Sequence, residues 1–245
     1  MEKVEFRDSR KTLLKGELFL PFSKVASGKF PLVVYAHGLY SSGLSSKKSQ
    51  AFLQVLVNAG FAFFRFDSYG VGESAGDFKN TTLTNRIDSL KNALHTALSR
   101  KEVFSDSVYL IGSSFGGLAS LFVSSADRRV KALVLIAPAI NLCYEDIPYE
   151  RYPELAASFF ADLKKYDPYN EAQKIGIPTL IIHGDCDEEV PYNFSVELVK
   201  HLRQAKLVTI KGADHRFASE IHFRDILENA TTFLTELERH EEEKH

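Results

Sequence analysis

Six short runs of almost unbroken apolar residues punctuate the chain: Leu32-Val33-Val34-Tyr35-Ala36, then residues 61–66, 108–111, 130–136, 179–182 and 207–210. A strand that is apolar at nearly every position is buried on both faces, which requires a parallel sheet covered by helices. Between these runs, residues 48–58, 82–98, 117–124, 193–202 and 223–237 carry helical patterns. In the second of them Leu83, Ile87, Leu90, Leu94 and Leu98 recur every three or four positions and form one apolar stripe. Asn58-Ala59-Gly60 supplies a glycine stop before the next strand. Strands alternating with helices through right-handed crossovers predict a doubly wound α/β sheet. Ahead of it, residues 4–6 and 13–20 read as two strands that pair antiparallel, closed by Pro21 and a small, polar loop over residues 23–29.

One interval breaks the alternation. After Ile136-Ala137-Pro138, roughly forty residues pass before the next strand, far more than a compact domain uses for an ordinary connection. They are rich in aromatic side chains: Tyr144, Tyr149, Tyr152, Phe159, Phe160, Tyr166 and Tyr169. The interval, about residues 139–175, reads as a small helical cap within a single domain spanning residues 1–245. Tyr144, Phe159 and Tyr166 of the cap, with Tyr40 of the body, are expected to meet substrate. The alternative is that the rings pack the insert onto the body, since a small insert needs its own core.

Composition narrows the function classes. At 245 residues, with 44% hydrophobic and 25% charged residues, the chain has an ordinary globular make-up. A net charge of −2 points to no nucleic-acid or anionic-membrane partner. Cys143 and Cys186 are too few and too far apart for a disulfide framework or a zinc cluster, and read as free thiols. Residues 1–8 mix both charge signs, and no apolar run reaches the ~18 residues of a membrane span. A cytoplasmic protein, monomer or homodimer, is therefore expected.

Gly112-Ser113-Ser114-Phe115-Gly116 lies between an apolar strand and a helix of small residues. A Gly-x-Ser-x-Gly turn in that setting holds its serine in a strained conformation tolerated only beside small neighbours, which lifts the hydroxyl clear of the sheet. Serine needs a base, and the base an acidic partner. Two later strands end in suitable groups, His183-Gly184-Asp185-Cys186-Asp187-Glu188-Glu189-Val190-Pro191 and Lys211-Gly212-Ala213-Asp214-His215. The glycines of Asp67-Ser68-Tyr69-Gly70-Val71-Gly72-Glu73-Ser74 do not form a dinucleotide fingerprint, and no metal-ligand spacing is present. Neither cofactor nor metal is expected.

With His37-Gly38 after the first parallel strand, these four motifs in this order resemble the α/β-hydrolase-fold serine hydrolases over nearly the whole chain. The resemblance implies a mostly parallel eight-stranded sheet with helices on both faces. It implies Ser114 as nucleophile, His215 as general base and Asp187 as the orienting carboxylate. Asp185, two residues earlier, is the alternative carboxylate; otherwise it bonds to the turn backbone. It also implies an oxyanion hole from the backbone N–H groups of Leu39 and Phe115, with His37 holding the loop. His201, His222, His240 and His245 are read as surface residues. Ser113, small where many relatives carry a larger residue, leaves room in the pocket. Arg216 is expected to pair with Asp214 or to meet an anionic substrate. The aromatic insert and Asp214-His215-Arg216-Phe217 are similar to small lid-bearing cinnamoyl or feruloyl esterases and to acyl-thioesterase-like hydrolases. The activity so implied is hydrolysis of a small-molecule carboxylic ester or thioester through an acyl-serine intermediate. A prolyl-oligopeptidase-type peptidase and a catalytically silent ligand-binding member of the fold are the alternatives.

Overall fold

The β-strands of the computed structural model, which describes residues 1–22 and 28–243, form one eight-stranded sheet. In chain order they are β1 (Glu2–Arg7), β2 (Leu13–Phe19), β3 (Phe30–Ala36), β4 (Ala62–Asp67), β5 (Val103–Ser113), β6 (Val130–Ile136), β7 (Thr179–Gly184) and β8 (Ala205–Ile210). The spatial order is β1-β2-β4-β3-β5-β6-β7-β8. β1 pairs antiparallel with β2, and β2 antiparallel with β4; every later pairing is parallel. This is the α/β-hydrolase arrangement implied by the motifs. Most of the loop expected over residues 23–29, and the last two residues of the chain, lie outside the described residues.

Burial follows the sequence pattern except at β8, whose run 207–210, expected to be buried on both faces, is half exposed along most of its length because it borders the sheet. β4 and β7 are buried at every position, whereas β1 and β2 at the antiparallel edge alternate. Successive residues of the central strands feed opposite cores. Leu32, Val34, Phe64, Leu110 and Leu133 face one side with helices α2 (Leu83–Leu98) and α3 (Phe115–Ala126). Val33, Tyr35, Phe63, Ile111 and Val134 face the other with α1 (Lys47–Asn58) and α7 (Glu220–Glu242). Two of these helix starts have a clear local cause. Ser46 caps α1 by accepting from Ser49 N–H, and Thr82 with Asn85 closes a reciprocal capping box on α2.

β5 begins five residues before its apolar run. Its first residue, Val103, is buried and pairs with Phe30; the polar stretch that follows is mostly exposed and is passed over by a register shift before pairing resumes at Val108. The long interval after β6 holds two short 3₁₀ turns, Ile140–Cys143 and Tyr149–Arg151, then α4 (Ala157–Leu163) and α5 (Pro168–Ala172). α6 (Asn193–His201) connects β7 to β8. Among the described residues no helix is long and apolar enough to cross a membrane.

Candidate active site

β5, the fifth strand of the row, delivers Ser114 to the carboxyl edge of the sheet, where the chain turns sharply into α3. Ser114 has φ 54° and ψ −118°, a conformation that L side chains rarely adopt. Three backbone hydrogen bonds hold it there. Ser114 N–H donates to Ile136 O at 2.8 Å, and Ser114 O accepts from Ala139 N–H and Leu118 N–H, both at 3.1 Å. The flanking glycines are dictated by space. A Cβ on Gly116 would lie 2.2 Å from Ala36 O, and one on Gly112 would lie 2.6 Å from the Cα of Gly117.

Two other strand ends meet this serine. The Nε2 of His215, in the loop after β8, lies 3.0 Å from Ser114 Oγ, and its Nδ1 lies 2.7 Å from Asp187 Oδ2 in the loop after β7. The residues come together although 101 positions separate serine from histidine. Asp187 Oδ1 accepts from Glu189 N–H at 2.9 Å and Val190 N–H at 2.7 Å. With Nδ1–H donated to the carboxylate, Nε2 keeps a lone pair for the serine hydroxyl. A hydroxyl so placed can become a nucleophile at neutral pH. Burial acts to raise the pKa of Asp187. The bonds from His183 and His215, the charge of His215 and the Val190 N–H outweigh it, and the carboxyl is held well below the usual range.

Asp185 is engaged elsewhere: its Oδ1 accepts from Gly212 N–H at 2.5 Å, the turn-backbone bond weighed for it from sequence. His183 was not singled out. It is fully buried, and its Nε2 lies 3.0 Å from Asp187 Oδ2 and 3.1 Å from Val190 O. Both partners only accept, so Nε2 carries the proton, and Ser195 Oγ–H donates to Nδ1 across 2.7 Å. The visible signal was a histidine closing an otherwise apolar strand.

The loop after β3 brings Leu39 beside Phe115 in the cavity wall. Phe115 opens α3, so its N–H is among those a helix leaves free at its start. His37 is buried and accepts from Ser68 N–H at Nε2 (3.0 Å), which leaves Nδ1–H to donate to Gly38 O at 2.8 Å. Burial first, and the Arg86 charge second, push its pKa well below the ordinary value. Arg86, on α2, was also missed. It is buried beside the apolar stripe, donates to Leu39 O at 3.1 Å and lies over the Phe115 ring. It thereby pins the segment that carries Leu39.

A cavity of about 460 Å³ opens beside Ser114 and His215. Tyr40 lines it and stacks on Tyr152, which also lines it and was not among the expected contacts. The other three expected aromatics do not line it. Phe159 is fully buried behind Phe115, Tyr166 lies edge-on to Phe122 with its hydroxyl on Thr84, and Tyr144 stacks on Tyr169. A small insert has no sheet of its own to cover it, so these rings serve its attachment. Arg216 also departs from its expected pairing. It reaches Glu189 at 3.4 Å, because Asp214 is turned to Ala218 N–H. Among the described residues no group of three or more His, Cys, Asp or Glu side chains could hold a metal ion.

The model of the prolyl oligopeptidase family matches residues 48–240. YfhR of Escherichia coli K12, an uncharacterised protein, is 27% identical over 217 residues, covering 87% of this chain and 73% of its own. The mitochondrial palmitoyl-protein thioesterase ABHD10 of Rattus norvegicus is 26% identical over 227 residues, covering 81% and 74%. The solved structure of Est1E from Butyrivibrio proteoclasticus with ferulic acid bound has a TM-score of 0.82 at 25% identity, covering 98% of both chains.

Proposed function

The chain belongs to the prolyl oligopeptidase family, and from that premise we propose that it hydrolyses small carboxylic esters or thioesters through an acyl-serine intermediate. The observation that carries the reading is the hydrogen-bonded line from Ser114 Oγ through His215 to Asp187, at 3.0 and 2.7 Å, beside an open cavity. His215 Nε2 takes the hydroxyl proton as Ser114 Oγ attacks the carbonyl carbon. The imidazolium so formed is stabilised by Asp187 and returns the proton to the departing oxygen or sulfur. Water, activated by the same nitrogen, then releases the acid and restores the serine.

Negative charge on the carbonyl oxygen is met by the backbone N–H groups of Leu39 and Phe115. Removing one such donor typically costs about 2.7–4 kcal/mol of barrier stabilisation. Tyr40 and Tyr152 flank the substrate at the cavity wall, and no cofactor or metal enters the scheme. An ester reading is favoured over a peptidase one by likeness to Est1E along nearly its whole length and to a thioesterase of Rattus norvegicus.

A panel of 4-nitrophenyl esters and acyl-thioesters, run on the parent protein beside Ser114→Ala, tests this. Turnover by the parent, lost together with fluorophosphonate labelling in the variant, is expected. Equal activity in the two proteins ends the proposal.

A further inference from the structure

The cavity beside Ser114 has two unlike walls. Leu39, Phe115, Ala139, Leu142 and Val190 belong to the apolar core on the α2 and α3 side of the sheet. From the α1 and α7 side come Tyr35, Ser113 and Lys48. Lys48 lies in the first turn of α1 and donates from Nζ to Ser113 Oγ at 3.3 Å, while Tyr35 bonds to the same serine. The ammonium also sits 5.1 Å from the centre of the Phe217 ring, two residues beyond His215.

Among the described residues this ammonium forms no ion pair. The carboxylates that act on it from farther away are occupied. Asp187 accepts four hydrogen bonds, Asp214 accepts from Ala218 N–H and Glu189 meets Arg216. Burial lowers the Lys48 pKa to about 8, against the pull of Asp187, Asp214 and Glu189. A helix start is the wrong end for a cation, and a half-buried charge with no ion-pair partner costs stability. An anion beside Nζ relieves both penalties at once. The two hydroxyls and the ammonium supply several donors, a number suited to the two oxygens of a carboxylate.

We propose that this niche binds a carboxylate carried on the alcohol portion of the ester, with Lys48 as its counter-ion. The alcohol portion is assigned because the departing oxygen takes its proton from His215, and Phe217, against which Lys48 packs, lies two residues beyond that histidine on the same loop. The apolar wall receives the acyl group. The inference rests on the serine-hydrolase reading and deepens it to a substrate class.

The test compares kcat/KM for 4-carboxyphenyl butyrate with that for 4-carbamoylphenyl butyrate, which matches it in shape and lacks the charge. The parent protein is expected to favour the carboxylate by about ten- to a hundredfold, the worth of one charge-assisted hydrogen bond. Lys48→Met should bring the ratio to about one, and Lys48→Arg should keep most of it. Equal rates in the parent, or a ratio unmoved in Lys48→Met, overturns the proposal. A second pair, mono-4-nitrophenyl adipate and 4-nitrophenyl hexanoate, moves the charge to the acyl side, and a preference confined to that pair overturns it too.

Calorimetric binding of 4-hydroxybenzoate and 4-hydroxybenzamide to Ser114→Ala reads the niche without turnover and without altering Lys48. Tighter binding of the acid, by about tenfold or more, is expected; equal binding rejects the niche. Discriminating binding without turnover in the parent rejects the hydrolase reading alone.

Discussion

His183 donates from Nε2 to Asp187 Oδ2 across 3.0 Å, so one carboxylate oxygen is shared by two imidazoles. The second of these, His183, is sealed inside the protein and has its tautomer set by Ser195. In the proposed mechanism it is a positioning residue: it fixes the oxygen to which His215 bonds. His183→Asn is therefore expected to lower kcat by about ten- to a hundredfold while KM stays within about twofold. A proportional change in both constants would argue for a general packing defect.

Asp187 also makes stability depend on acidity. Its pKa is lowered in the folded protein, so its contribution is fully present above the unfolded value of about 3.9 and is lost as pH falls toward the folded value. Melting temperatures measured from about pH 2 to 6 should fall below about pH 4 in the parent protein and fall less in Asp187→Asn. Parallel curves would show that the four hydrogen bonds do not stabilise the ionised form.

The two neighbouring carboxylates should separate in activity. Asp187→Ala is expected to reduce kcat by about four orders of magnitude. Asp185→Ala removes a bond to Gly212 N–H and should cost at most a few-fold in the same assay. The reverse ranking would transfer the orienting role to Asp185.

Strain at the elbow has its own signature. Ser114 sits at φ 54°, where glycine is at ease and alanine is not. Ser114→Gly should be more stable than Ser114→Ala by about 1 kcal/mol in denaturant unfolding. Both should be inactive, since neither side chain has a hydroxyl.

Among the aromatic rings, Phe159→Ala should lower stability by about 3–5 kcal/mol, because a fully buried ring leaves a cavity behind. Tyr152→Ala, at the cavity wall, should mainly change KM across esters of increasing acyl length. A stable Phe159→Ala protein with altered chain-length preference would contradict this division.

The strands and motifs were legible because each is a local pattern. Nearly unbroken apolar runs marked β3 to β8, and Gly112 and Gly116 announced a tight turn at Ser114. Arg86, His183 and Lys48 were not legible, because each acts through partners 47, 4 and 65 residues away that only the packed structure brings near. His183 is close in sequence, yet its geometry depends on how the loop after β7 folds back on the strand. The destinations of Phe159 and Tyr166 were hidden for a related reason. An aromatic ring has the same composition signal whether it faces a ligand or a neighbouring helix.

β8 borders the sheet, paired only with β7, and its residues are half exposed along most of their length. The loop bearing His215 leaves from that border, whereas Ser114 rides on an interior strand. A brief peeling of one flank would thus carry the His215 imidazole away from a hydroxyl that stays put. In gentle denaturant, the proposed turnover should vanish while circular dichroism still reports a folded chain, so the rim, and not the centre, sets how harsh an environment that activity survives.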